Sequence, residues 1–143
     1  MIGLLPTSAI SIKHPYELRV GMDLVQISRI KDSIDQFGNR FIDRLFTEEE
    51  FDYANSGDGL LSERLAARFA AKEAAIKALR LSDAGVGWRD IEVRKLHSGE
   101  CTLALHGRVA ELVRNMEIEQ IALSLSHDGD YAGAVVTVLH RAS

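Results

Sequence analysis

Residues 65–79 read LAARFAAKEAAIKAL, and the rest of the chain arranges itself around them. Turned by about 100° per residue, the run puts Leu65, Phe69, Ile76 and Leu79 on one helical face. Lys72 projects within that face. Glu73 lies at its edge, with Lys77 four residues on and Ala66 and Ala70 on the same side. The pattern predicts a long central helix from about Leu61 to Leu81, ended by SDAGVG. An adjacent cation and carboxylate stand out in a run otherwise suited to burial. Their plain account is an i,i+4 Glu–Lys pair on a solvated edge, with Lys72 snorkelling past its apolar neighbours. The alanines add something the plain account does not need: room for another element to approach the Glu73 carboxylate closely.

Upstream, YELRVGMDLV (16–25) alternates. Leu18, Val20, Met22 and Leu24 interleave with Glu17, Arg19 and Asp23, as in a strand with one covered face. The period then becomes helical: Ile27, Ile30, Ile34 and Phe37 form a stripe that Gly38 can close. NRFIDRLF reads as a second short helix. Thr47 and Glu50 have capping-box spacing for a third, and NSGDG (55–59) is a loop. Downstream, RDIEVRKL and ECTLALHG are strands joined through HSG, followed by a helix marked by Val109, Leu112, Val113 and Met116. Two last strands, QIALSLS and YAGAVVTVLH, flank HDGD, in which Asp128-Gly129 is a strong hairpin signal. The sum is an α+β domain over residues 16–143: a mainly antiparallel sheet packed with a long central helix and shorter helices. Residues 1–15, broken by Pro6 and Pro15, read as an N-terminal appendage.

The chain has 143 residues, 46% hydrophobic and 27% charged, with a net charge of −4. That is one ordinary globular domain, large enough to fold without disulfide or metal. The acidic balance argues against nucleic acid as a partner. The one cysteine, Cys101, fits a reducing compartment. No apolar run has the roughly 20 residues of a membrane span, and the N-terminus lacks the pattern of a signal peptide. The expectation is a cytoplasmic protein.

Three positions could carry chemistry. Asp23, in the apolar strand VGMDLV, is costly to bury unless paired or metal-bound; its bland reading is an open sheet face. With Glu73 it could supply oxygen ligands to Mg²⁺, which takes one or two carboxylates and completes its octahedron with waters and phosphate oxygens. Lys77 and Lys72 could then meet phosphates. His127 stands at the mouth of a tight turn, accessible to a phosphate, although lone histidines are more often structural. Arg29, Lys31, Arg40 and Arg44 cluster in the first helices. They form either a solvated face or a patch for an acidic partner. No dinucleotide fingerprint, P-loop, zinc spacing or nucleophile elbow is present.

VGMDLVQISRI, RFIDRLFTEEE, LAARFAAKEAAIKAL, GVGWRDIEV, SGECTLALHG and SLSHDGDYA occur in that order over about residues 20–138. Together they resemble the small holo-[acyl-carrier-protein] synthases, a family of 4′-phosphopantetheinyl transferases. The paired signatures G-x-D and R-F-A-A-K-E-A-x-x-K carry the likeness. The resemblance implies Mg²⁺-dependent transfer of 4′-phosphopantetheine from coenzyme A to a serine of apo-acyl carrier protein, with adenosine 3′,5′-bisphosphate released. By position it implies that Asp23 and Glu73 hold Mg²⁺ and serve catalysis with Lys77. Arg68, Lys77 and His127 would contact coenzyme A, and Arg29, Arg40 and Arg44 would face the carrier protein. It further implies a homotrimer with active sites between subunits. The serine proton could go to Glu73 or to a water on the metal. Many relatives turn on glycines soon after K-A-L, whereas here ALRLSDAGVGW has none until Gly85. That departure lends support to a competing reading, a non-catalytic paralogue that binds coenzyme A or carrier protein without transfer.

Overall fold

The computed structural model describes residues 15–142. The appendage expected over residues 1–15 lies outside that range apart from Pro15, whose carbonyl accepts a hydrogen bond from the Ala142 N–H at 2.8 Å. In chain order the elements are β1 (Tyr16–Gln26), α1 (Ile27–Phe37), α2 (Asn39–Leu45), α3 (Glu48–Asn55) and α4 (Leu61–Ala78). A 3-10 turn (Trp88–Asp90) then leads to β2 (Ile91–Lys95), β3 (Cys101–Leu105), α5 (Gly107–Arg114), β4 (Ile118–Asp128) and β5 (Tyr131–Arg141). The expected α+β class holds, but the strands form two antiparallel sheets rather than one: β1-β5-β4 and the β2-β3 hairpin. The β4–β5 hairpin falls at HDGD as expected, but one residue later than Asp128-Gly129: Asp128 pairs with Tyr131 at the end of β4, and Gly129 (φ 56°) and Asp130 form the two-residue loop.

The core is the contact between α4 and the three-stranded sheet. Ala66, Ala70, Ala71, Ala74 and Ala75 are fully buried, and Ala132, Ala134, Val136 and Val138 of β5 share their cluster. Alanine makes this packing close, because small side chains let the helix axis settle near the strands. The tightest point is Gly21 of β1: a Cβ there would lie 2.0 Å from the Ala74 carbonyl oxygen and 2.7 Å from the Ala78 nitrogen. Only glycine fits against the helix backbone at that distance.

That contact reverses the expected facing of β1. Its covered side is Arg19, Gly21, Asp23 and Val25, while Leu18, Val20, Met22 and Leu24 are 60–66% exposed. Alternation reports that two faces differ; it does not report which one the helix covers. The side with a glycine admits α4, and the apolar side is left open.

Lys72 also departs from the snorkelling expectation. It is wholly buried, and its Nζ donates to Glu50 Oε1 at 2.8 Å, to the Trp88 carbonyl at 3.1 Å and to the Ile91 carbonyl. Glu50 is equally buried and accepts from the Val93 N–H at 2.9 Å and the Thr47 N–H at 2.9 Å. The Thr47–Glu50 capping box forms as its spacing predicts. Its glutamate does more than cap, since it ties α3, α4 and β2 together through one ion pair. Burial pushes the Lys72 ammonium pKa down, against the attraction of Glu50.

The end of α4 explains the missing glycine. Arg80 adopts φ 56°. The Leu81 N–H bonds the Ile76 carbonyl at 2.9 Å and the Arg80 N–H bonds the Lys77 carbonyl at 3.2 Å. This is the Schellman pattern usually built on glycine. The helix therefore stops where a glycine would stop it, and the turn no longer favours a non-catalytic paralogue.

Candidate active site

Asp23 lies two residues beyond Gly21 and so on the same face of β1, where the close approach to α4 carries it to the helix. Its Oδ1 is 3.2 Å from Lys77 Nζ, which also donates to the Met22 carbonyl at 3.0 Å. Glu73, one turn before Lys77, lies beside them. Partial burial pushes its carboxyl pKa up, the Asp23 charge adds to that, and Lys77 opposes it. The Glu73 carboxylate accepts no side-chain hydrogen bond among the described residues, whereas Lys77 donates to Asp23. A part-buried Glu73 carboxylate whose ionisation the Asp23 charge disfavours, next to an Asp23 paired with Lys77, would be relieved by a hard divalent cation. No group of three or more ligand-type residues forms among the described residues. Two neighbouring carboxylates are nonetheless a donor set Mg²⁺ can accept, since that ion takes one or two carboxylates and keeps most of its shell as water and phosphate oxygen.

Arg68 and His127 stand elsewhere. They line a cleft of about 860 Å³ between the first half of α4, β3 and β4 that Asp23, Glu73 and Lys77 do not line. His127 Nδ1 is 3.5 Å from Glu63 Oε1. Glu63 and Lys77 are about 21 Å apart along the helix axis, at 1.5 Å per residue. Arg68 is only 3% exposed. Its guanidinium sits 4.5 Å over the Tyr53 ring and its Nε is buried without a partner. Burial pushes the Arg68 pKa down while Cys101, Tyr53 and Glu50 favour its charge. Arg64 stacks on the same ring at 4.4 Å, and Lys95 reaches the Tyr53 hydroxyl at 3.1 Å. The hydrogen bond from Lys95 is the main pull lowering the phenol pKa. An under-paired buried guanidinium amid further cations makes a place for a multiply charged anion. Sequence reasoning did not find Tyr53, Arg64 or Lys95. They meet only through the packing of α3, α4 and β2, and no local pattern marks them.

Arg29 on α1 and Arg40 and Arg44 on α2 are all exposed, and none forms an ion pair among the described residues. Phe37, the last residue of α1, is 52% exposed. Lys31 instead pairs with Asp35 at 3.2 Å. Lys72, committed to Glu50 in the core, does not line the cleft.

A sequence model described as the 4′-phosphopantetheinyl transferase superfamily matches residues 19–136. The chain belongs to that superfamily. A holo-[acyl-carrier-protein] synthase of Gloeobacter violaceus is 45% identical over 121 residues, covering 85% of this chain and 92% of the relative. Among solved structures, the ACPS–CoA complex of Chronobacterium ammoniagenes aligns with a TM-score of 0.78 at 34% identity, covering 88% of this chain and 99% of that one. The holo-[acyl-carrier-protein] synthase of Helicobacter pylori in complex with coenzyme A aligns at 0.72 and 29% identity, covering 83% and 98%. The transferase match spans both the Asp23–Glu73–Lys77 cluster and the Arg68–His127 cleft. No helix among the described residues is long and apolar enough to cross a membrane.

Proposed function

We propose that this chain transfers 4′-phosphopantetheine from coenzyme A to a serine hydroxyl of apo-acyl carrier protein, releasing adenosine 3′,5′-bisphosphate. The observation that carries the reading is the meeting of Asp23, Glu73 and Lys77 where β1 presses on α4. Asp23 and Glu73 would hold Mg²⁺. When bound, that ion neutralises charge on the split pyrophosphate and polarises its phosphorus. The chain's own task is then orientation, which dominates phosphoryl transfer. Lys77 places a positive charge beside the two carboxylates, where a coenzyme phosphate can meet it. Arg68, with an unpartnered Nε, and His127, at the cleft mouth, hold the nucleotide end. Arg29, Arg40 and Arg44 present free cations to an acidic carrier.

The separation of the two clusters supports sites built between subunits. One coenzyme molecule can use the metal pair of one chain and the Arg68–His127 cleft of its neighbour. The open apolar face of β1 supplies a surface for such an assembly, and a homotrimer is the form we assign. Cys101 is unbridged, which suits a cytoplasmic enzyme. The test is to incubate the protein with apo-carrier, coenzyme A and Mg²⁺ and weigh the carrier. A gain of one phosphopantetheine is expected. No gain with several apo-carriers would sink the reading, and carrier binding without gain would select the paralogue.

A further inference from the structure

Helix α1 begins without a cap of its own. Its N-cap residue, Gln26, makes no side-chain cap bond, and its first turn holds no acidic residue. The exposed amides and positive dipole end of a helix start need an acceptor and favour a negative charge. Both come from the β4–β5 turn, about a hundred residues away in sequence. The Asp130 carbonyl accepts from the Ile27 N–H at 2.7 Å. Its Oδ1 accepts from the Ser28 N–H at 2.9 Å and its Oδ2 from the Ser28 hydroxyl at 2.6 Å. The Ser28 hydroxyl holds the Asp130 carboxyl below the ordinary carboxylate range, with Gln26 adding to it.

We propose that Asp130 is a positioning residue for carrier docking, a cap supplied by a sequence-distant turn of the same chain that sets the first turn of α1 and with it Arg29. The residue following its partner Ser28 is Arg29, an exposed cation without an ion pair among the described residues. Three residues before Asp130 is His127, at the mouth of the anion cleft. The turn therefore mechanically joins the coenzyme side of the site to the carrier-docking helix. This role rests on the docking function assigned above to Arg29.

A positioning role separates from a merely structural one in the kinetics. Asp130→Ala should raise the KM for apo-carrier by about three- to tenfold, the range a lost cap implies. The coenzyme A KM and kcat should stay within twofold. Restoring a cap from within α1, by adding Gln26→Asp to Asp130→Ala, should recover most of the carrier KM, because aspartate at that position can accept from the Ser28 or Arg29 N–H. If Asp130→Ala fails to fold, Asp130→Asn, which keeps the size and loses the charge, serves in its place and should raise the same KM less. An unchanged carrier KM, an equal rise in both KM values, or no recovery in the double variant would overturn the proposal. A wild-type protein that modifies no carrier fails at an earlier point: it refutes the transferase reading, and this proposal falls with it.

Discussion

Lys72 shows how little a residue's neighbours in sequence say about its partner. It sits beside Glu73, yet its ammonium turns into the core to Glu50, on a different helix, at 2.8 Å. Removing one member of such a pair leaves an uncompensated buried charge, typically costing about 3–5 kcal/mol. Lys72→Met should destabilise the protein by that order in a denaturant titration. Adding Glu50→Gln should recover part of the loss, because the stranded carboxylate is then gone. A single variant as stable as wild type would show that the pair does not hold α3 and β2 to α4. Glu73 is the opposite case. Its carboxyl pKa is raised in the fold, so its ionised form opposes folding at neutral pH. A residue kept against stability is what a ligand-holding role leads one to expect.

Among elements, the decisive contact is β1 against α4, and the motif G-x-D states it compactly: glycine to let the strand touch the helix backbone, aspartate on the same face to use the proximity. Gly21→Ala forces a methyl into the Ala74 carbonyl. It should cost about 1–3 kcal/mol or more, as overpacking does, and lower the transfer rate further by moving Asp23 away from Glu73. A variant of unchanged melting temperature would contradict the close approach. The sequence allowed much of this to be read. Helical and strand periods placed all the main elements, the Thr47–Glu50 spacing predicted its capping box, and the resemblance pointed to Asp23 and Glu73. Other features could not be read because they depend on tertiary pairing. The face of β1 that is covered follows from Gly21 meeting Ala74, not from alternation. The partner of Lys72 is 22 residues upstream. The cap of α1 comes from the far hairpin.

For the whole molecule, the open face of β1 is the main unspent surface: Leu18, Val20, Met22 and Leu24 in one row, with Val135 of β5 beside them. Such contiguous exposed apolar surface marks an interface. On the proposed homotrimer, Val20→Asp should give a monomer by sedimentation and abolish most transfer, because each proposed shared site would lose its neighbour's cleft. A wild type that sediments as a monomer while fully active would refute shared sites. The central claim is that the carboxylates gathered by β1 and α4 hold the cation that transfer needs. The most direct measurement is the rate of carrier mass gain for Glu73→Gln against wild type over a Mg²⁺ titration, with melting temperature followed alongside. Glu73→Gln should lose about a hundredfold or more in rate, the scale of a metal's contribution to charge stabilisation, at a melting temperature no lower than wild type without Mg²⁺. A rate near wild type with the same Mg²⁺ dependence would contradict it.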